Sequence, residues 1–160
     1  MDSIRMRLAR SKDADAVAAL INTAFRAAES FLMDRDRITV DSVQSLLQSG
    51  KFLLAEGAGD DALLGCVYVE LKGEHAYLGL LSVNPNHQKG GIGSALMNAA
   101  EKHCGEGGCR FMDLRIINVR QELPGFYRRR GYVETGTAPL TVGLQPKMPC
   151  HFVNMSKPLP

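Results

Sequence analysis

Hydrophobic residues recur at two different spacings along the chain, and their alternation predicts a domain of mixed α/β class. One group near the amino terminus follows the 3.6-residue period of a helix: Val17, Leu20, Ile21, Ala24 and Phe25. This pattern predicts a first amphipathic helix, for which Ser11 or Asp13 could serve as N-cap. A second helix is predicted between Thr39, a suitable N-cap, and Gly50, which ends it.

Seven runs with strand-like patterns, several of them bounded by turns, predict the strands of a sheet. They cover residues 4–9, 51–56, 62–71, 76–83, 110–116, 132–136 and 150–157. Turns containing glycine at 57–61 and 72–74 join three of these runs, so we expect three consecutive antiparallel strands there. The segment 137–149 contains proline and glycine and is predicted to be a loop.

A third helix is predicted from the glycines that follow residue 83 to about Cys104, and a short fourth helix around Tyr127. The order strand, helix, strand implies a right-handed crossover that pairs strands 76–83 and 110–116 in parallel. Pro124 requires the fourth helix to begin near that residue, because proline is tolerated in a first turn and disruptive inside a helix.

Length and charge exclude several classes of protein. The 160 residues suit one domain with a substantial core, so we expect a single domain over 1–160. The 19 basic and 17 acidic residues leave a net charge of +2, without the broad basic surface typical of nucleic-acid binding. No apolar window approaches the length of a membrane span. We therefore expect a soluble, cytoplasmic protein with neither nucleic acid nor a membrane as partner.

Cysteine spacing indicates neither a metal site nor a disulfide framework. Cys66, Cys104, Cys109 and Cys150 are widely separated, form no Cys-x-x-Cys pair and have no histidine at ligand spacing. We interpret all four as reduced thiols.

The segment 80–97 has the layout of a phosphate-binding loop, because a strand pattern runs through glycines into a helix pattern. Glycine lets backbone N–H groups approach an anion closely, and the first turn of the helix adds unpaired N–H groups and the positive end of the helix dipole. A P-loop is excluded because no lysine follows Gly93. A dinucleotide-binding fingerprint is excluded because position 96, where it needs glycine, is Leu96.

The pattern that fits is Gln88-x-x-Gly91-x-Gly93, which resembles the acyl-CoA pyrophosphate motif of the GNAT N-acetyltransferase superfamily. A second segment resembles the other signature of that family, in which a short helix carries Phe126-Tyr127 and ends at Gly131-Tyr132. The two motifs stand in the family's order and separation. The resemblance implies the GNAT fold, with a mixed sheet of about six to seven strands and about four flanking helices.

The resemblance also implies acetyl-CoA as co-substrate, without a metal. Strands 76–83 and 110–116 would splay apart, so that pantetheine enters the gap and pairs with the exposed backbone, while loop N–H groups hold the pyrophosphate. The residues implied in cofactor binding are Leu81, Ser82, Val83, Gln88, Lys89, Gly90, Gly91, Ile92, Gly93, Ser94 and Asn118.

The implied reaction is direct transfer of an acetyl group to a primary amine of a small molecule or peptide. By resemblance, Tyr127 is the general acid that protonates the leaving thiolate, and a backbone N–H near Val83 could polarise the thioester carbonyl. The general base is left open among Glu70, Glu29 and His75, with a water chain as a further route. A different class, a non-catalytic acyl-CoA-binding or sensor domain, would need only the loop and the strands.

The acceptor amine is not encoded in the two motifs, because the cofactor site consists mainly of backbone groups. We expect acceptor specificity to lie in residues 26–38 and 137–149, where Glu29 and neighbouring acidic residues would suit a cationic amine. The sequence leaves a homodimer open, with the acceptor site at a dimer contact as the alternative.

Overall fold

A computed structural model describes residues 4–33, 35–57, 59, 62–87, 90–140 and 145–160. Its seven strands are β1 (Ile4–Leu8), β2 (Lys51–Gly57), β3 (Leu63–Lys72), β4 (His75–Val83), β5 (Phe111–Ile117), β6 (Val133–Ala138) and β7 (Phe152–Pro158). The four helices are α1 (Ala14–Glu29), α2 (Val40–Ser49), α3 (Ile92–Glu106) and α4 (Glu122–Arg129).

The strands form one mixed sheet in the order β1-β2-β3-β4-β5-β7-β6. Neighbouring strands are antiparallel except for β4 and β5, which the crossover through α3 makes parallel. The predicted mixed fold, with its parallel pair and four helices, is confirmed.

Each face of the sheet carries its own hydrophobic core. On one face, α1 and α2 pack against β2 and β3, where Ile21 and Val43 meet Phe52 and Tyr68. On the other face, α3 and α4 cover the central strands, with Leu96 and Met97 at the centre. The alternation of side chains along a strand therefore decides which helices each residue faces. Residues from both faces line the cavity described below.

Local signals account for several of the element boundaries. Thr39 caps α2 as predicted, since its side-chain oxygen accepts a hydrogen bond from the Ser42 amide, and Gly50 ends that helix. Asp13 stands at the N-cap position of α1, but its carboxylate is bound to Arg7 and to the Arg10 amide instead of capping the helix. The predicted cap therefore serves the preceding 3-10 turn.

Two boundaries differ from the prediction. Helix α4 begins at Glu122, so that Pro124 is its third residue. It remains within the first turn, where a missing N–H breaks no helical hydrogen bond. The predicted loop 137–149 is shorter at its start, because β6 continues to Ala138 through pairing of Thr137 and Ala138 with β7. Residues 141–144 of that loop lie outside the described part of the chain.

None of the helices described here is long and apolar enough to cross a membrane. Cys66, Cys104, Cys109 and Cys150 are all free thiols.

Candidate active site

The two parallel strands separate soon after they meet. Their ladder joins only three residue pairs, from His75 with Phe111 to Tyr77 with Asp113. Beyond these pairs the strands diverge, and a cavity of about 490 Å3 is lined by the following residues of both, including Leu81 and Ile117. The gap thus exposes strand backbone to a ligand rather than to a neighbouring strand.

A β-bulge in β4 accompanies the divergence. Tyr68 is paired with Gly79 and Cys66 with Ser82, so two residues of β4 lie opposite the single residue between them on β3. One of the two, Leu80, has a φ of 56°, which is uncommon for a leucine. The Ser82 hydroxyl donates a hydrogen bond of 3.0 Å to the Leu80 carbonyl. Ser82 lines the cavity, and its buried side chain stabilises the bulge.

The amino terminus of α3 forms one wall of the cavity. Its N-cap is Gly91, with a φ of 74° and no side-chain capping hydrogen bond. The amides of the first helical turn have no acceptor within the helix, so they are available to an anion. Of the implied loop residues, Gly91, Gly93 and Ser94 line the cavity, whereas Ile92 is buried in the core.

Other implied cofactor residues lie elsewhere or are not described. Gly90 is absent from the cavity lining. Gln88 and Lys89 lie outside the described residues. Asn118 also does not line the cavity, because its side-chain oxygen accepts a hydrogen bond of 2.8 Å from the His151 amide and ties the end of β5 to the start of β7.

Tyr127 is buried at the cavity, with an exposed fraction of 6%. Its ring packs edge-on against Phe126 and Tyr132, while its hydroxyl has no hydrogen-bond partner in the described part of the chain. Burial raises the pKa of Tyr127 to about 12, although the nearby guanidinium groups of Arg120 and Arg130 oppose this rise. The phenol is therefore protonated over the physiological range.

A second tyrosine, which the sequence did not single out, lines the same cavity from β4. The hydroxyl of Tyr77 lies over Gly79, since a Cβ added to that glycine would be only 2.8 Å from the oxygen. Tyr77 is also near enough to contribute to the raised pKa of Tyr127. A glycine two residues after a strand tyrosine is the only signal in the sequence that could have indicated this arrangement.

Of the three residues considered as general base, only Glu29 lines the cavity. Although Glu29 is 6% exposed, it is paired, because the Nη1 atom of Arg120 lies 2.8 Å from its Oε2 atom. The Nε atom of the same arginine contacts the exposed Glu122 at 3.1 Å. The predicted free carboxylate is therefore one half of a buried ion pair, and its partner was not identified from the sequence.

The structure places Glu70 and His75 away from the cavity lining. The carboxylate of Glu70 lies 3.7 Å from the ammonium of Lys72, at the far end of β3. His75 begins β4, where its Nδ1 atom is 2.7 Å from the carboxylate of Asp113. Both residues are at the end of the sheet where β4 and β5 are still paired.

The two segments expected to determine acceptor specificity contact one another. The Lys147 amide donates to the Leu32 carbonyl at 2.6 Å, and the Lys147 ammonium donates to the Ser30 carbonyl at 2.9 Å. Lys147 thus joins the second segment to the residues that follow Glu29. Asp34, one of the acidic residues in the first segment, lies outside the described residues.

A family model and several solved structures are similar to this chain. A model of the acetyltransferase (GNAT) family matches residues 14–132 of the chain. A comparison with curated proteins gives no significant match.

Solved acetyltransferase structures share the fold over nearly the whole chain. Nourseothricin acetyltransferase is 26% identical, with a TM-score of 0.75 over 98% of this chain and 99% of that one. Ard1 from Thermoplasma volcanium is 20% identical, with a TM-score of 0.78 over 98% of both chains. Spermidine N-acetyltransferase from Vibrio cholerae, solved with CoA and spermine, is 17% identical, with a TM-score of 0.76 over 98% and 95%.

The buried ion pair yields a prediction about stability. Glu29→Gln removes the charge that compensates Arg120, and breaking a buried pair costs about 3 kcal/mol. The matched control is Glu122→Gln, which removes the exposed partner of the same arginine and should cost less than about 1 kcal/mol. Urea denaturation of both variants measures the difference. Equal losses would show that burial does not distinguish the two carboxylates.

Proposed function

The chain belongs to the acetyltransferase (GNAT) family, and we propose that it is an N-acetyltransferase that moves an acetyl group from acetyl-CoA to a primary amine. The comparisons support an acyltransferase in general. The observation that carries the finer proposal is the combination within one cavity of an uncapped helix terminus and a tyrosine, Tyr127, whose ring is buried and whose hydroxyl has no partner among the described residues. The first suits the diphosphate of a CoA thioester, and the second suits protonation of its thiolate.

In this proposal the gap between β4 and β5 receives the pantetheine arm. Leu81 and Val83 line the cavity beyond the bulge, where the ladder with β5 has ended, so their backbone groups can pair with the amides of the arm. The amides of Gly93 and Ser94 at the start of α3 would hold the pyrophosphate. On the motif alone, we also propose that Gln88 and Lys89 contribute to pyrophosphate binding. The Vibrio cholerae relative, solved with CoA, supports the choice of donor.

The chemistry requires one new bond and one broken bond. The lone pair of the neutral amine attacks the thioester carbon, the C–N bond forms, and the C–S bond breaks as the carbonyl is restored. The departing thiolate takes the proton of the Tyr127 hydroxyl, which solvent later replaces. The raised pKa of about 12 keeps the phenol of Tyr127 protonated, so a proton is present when the thiolate leaves. The same shift makes the phenol a weaker acid, and the hydrogen bond to the departing thiolate offsets part of that cost.

The attacking nitrogen must also lose a proton. Of the carboxylates expected to accept it, we assign this role to Glu29, which lines the cavity and has one oxygen held by Arg120. The other oxygen remains to accept the proton, directly or through water. Glu70 is assigned no part in the reaction, because it lies outside the cavity lining.

A non-catalytic acyl-CoA-binding domain is the competing function. Such a domain needs the helix terminus and the open strand, but it has no need of a tyrosine hydroxyl at the cavity that lacks a protein partner within the described ranges. The position of Tyr127 therefore favours the enzyme.

The proposed function first yields a prediction about CoA binding. Gly91→Val should weaken CoA binding about tenfold or more, because a β-branched residue resists a φ of 74° and displaces the amides that meet the pyrophosphate. Isothermal calorimetry with CoA measures the affinity.

Gly73→Val is the matched control. Gly73 has a φ of 71°, and a Cβ there would meet nothing within 4 Å, as at Gly91, but it lies in the β3–β4 turn away from the cavity. Both variants should lose about 1–2 kcal/mol of stability from the strained backbone. If both bind CoA as tightly as the parent, the pyrophosphate does not use this helix terminus.

The second prediction concerns the general acid. Tyr127→Phe should lower kcat about 100-fold while acetyl-CoA affinity stays nearly unchanged, because only the proton donor is removed. Tyr132→Phe is the control, since that hydroxyl donates to Glu101 at 2.9 Å and serves the structure. It should lower the melting temperature and leave kcat near that of the parent. Unchanged turnover in Tyr127→Phe would assign the proton to water.

The third prediction concerns pH. Tyr127 donates only while protonated, and its pKa of about 12 keeps it protonated far above neutrality. The kcat should therefore rise as the amine loses its proton and should show no decline up to about pH 10. A decline with an apparent pKa near 10 that disappears in Tyr127→Phe would mean that the phenol titrates as an ordinary tyrosine.

A further inference from the structure

The charges that line the cavity are unevenly distributed. Its arginines are Arg37, Arg115, Arg120 and Arg129, and its carboxylates are Glu29 and Glu122. Both carboxylates contact the same arginine, Arg120. Within the described ranges, the other three arginines have no carboxylate partner. The cavity therefore presents guanidinium groups whose charge an incoming ligand can neutralise.

Arg115 lies on the side of the sheet that α1 occupies. Tyr77 is paired with Asp113, and Arg115 is two residues further along β5, so its side chain leaves the same face as these two. Its guanidinium carbon is 4.3 Å from the centre of the Phe152 ring. Stacking on a ring orients the planar group and leaves its N–H edge free to donate a pair of hydrogen bonds.

Arg37 lines the cavity from the segment between α1 and α2. Its guanidinium carbon is 5.4 Å from the centre of the Phe25 ring, which belongs to α1 and also lines the cavity. Two arginines thus line one cavity, each held against an aromatic ring rather than against an acid. Ion pairing among the described residues does not account for either position.

The donor's phosphates do not account for Arg115. From the last paired residue of β4, Tyr77, the strand continues six residues to Val83, about 20 Å at 3.3 Å per residue, before α3 begins. Arg115 is only two residues, about 7 Å, beyond the corresponding point on β5. Arg129 differs, because it lies on α4, which adjoins the start of α3 through Phe126 and Gly93. We therefore assign Arg129 to binding of the acetyl-CoA donor and exclude it from the acceptor site.

We propose that the acceptor is an α-amino acid, whose carboxylate is bound by Arg115 and Arg37 while its amine is directed to Glu29 and Tyr127. The inference rests on the proposed acetyl transfer and names the substrate class of that same site. The positive charge that remains at Arg115 and Arg37 suits a carboxylate, while the Glu29 oxygen not held by Arg120 can accept a hydrogen bond from the amine. A polyamine would instead bring cationic groups against two uncompensated arginines, which is unfavourable.

The test compares acceptors that differ only in the carboxylate. Leucine, methionine and phenylalanine are assayed against their α-carboxamides, with spermidine as a polycation, by following CoA release from acetyl-CoA. We expect kcat/KM for the acids to exceed that for the amides about 10- to 100-fold, as for a charge-assisted hydrogen-bonded pair. Spermidine should be the poorest acceptor.

Variants then assign the preference to residues. Arg115→Gln should abolish most of the difference between acid and amide by raising KM for the acid, and Arg37→Gln should act in the same direction, with KM for acetyl-CoA unchanged. Arg110→Gln is the matched control, because this exposed arginine pairs with Glu74 and does not line the cavity. It loses the same charge and should retain the parent's preference.

A binding measurement separates this inference from the proposed function. The N-acetyl derivatives of the same amino acids, which need no turnover, should bind in the presence of CoA more tightly than their amides. Carboxylate-dependent binding that Arg115→Gln removes, without acetyl transfer, would support the anion site and overturn the transferase. Transfer to amides or spermidine as efficient as to acids would retain the transferase and overturn the amino-acid proposal, as would equal binding of acid and amide derivatives.

Discussion

The separation of β4 from β5 is the constraint on which the rest of the site depends. Backbone N–H and C=O groups within a sheet normally pair with a neighbouring strand, and leaving them unpaired is costly unless water or a ligand replaces that strand. Here the parallel ladder stops after three residue pairs. The strands beyond that point border a cavity lined by both, so an extended ligand with amide groups can take the place of the missing strand.

The bulge at Leu80 explains how the sheet tolerates this interruption. An extra residue in β4 increases the local twist and turns the strand away from its neighbour, while β3 on its other side keeps the pairing. The Ser82 hydroxyl and the Cys66 thiol both contact the Leu80 carbonyl, so the unusual backbone is supported from within the core. The gap between the strands is therefore built into the sheet itself.

Much of this architecture could be predicted from the sequence. Hydrophobic patterning located the first two helices and the strands to within a few residues. The family resemblance located α4, and Gly91 and Gly93 identified the start of α3 because their effect is local. The bulge could not be predicted in this way. A leucine with positive φ has no local signal, since the conformation is imposed by pairing with β3 and by packing on both faces. Tyr77 was missed for a related reason. Its position at the cavity depends on its side chain lying on the face of the sheet that α1 covers, and this is set by strand register.

Charge was the feature that sequence alone described least well, and the reason is physical. Glu29 looked like a free anion for a cationic acceptor, but Arg120, 91 residues away in the chain, neutralises it within the buried cavity. The charge available to a ligand is the sum that remains after such long-range pairs form, and in this cavity the remainder at Arg37 and Arg115 is positive. An acidic residue near a cleft therefore indicates the sign of its ligand only once its partners are known. In this fold those partners are brought together by the sheet, across elements that the chain keeps far apart.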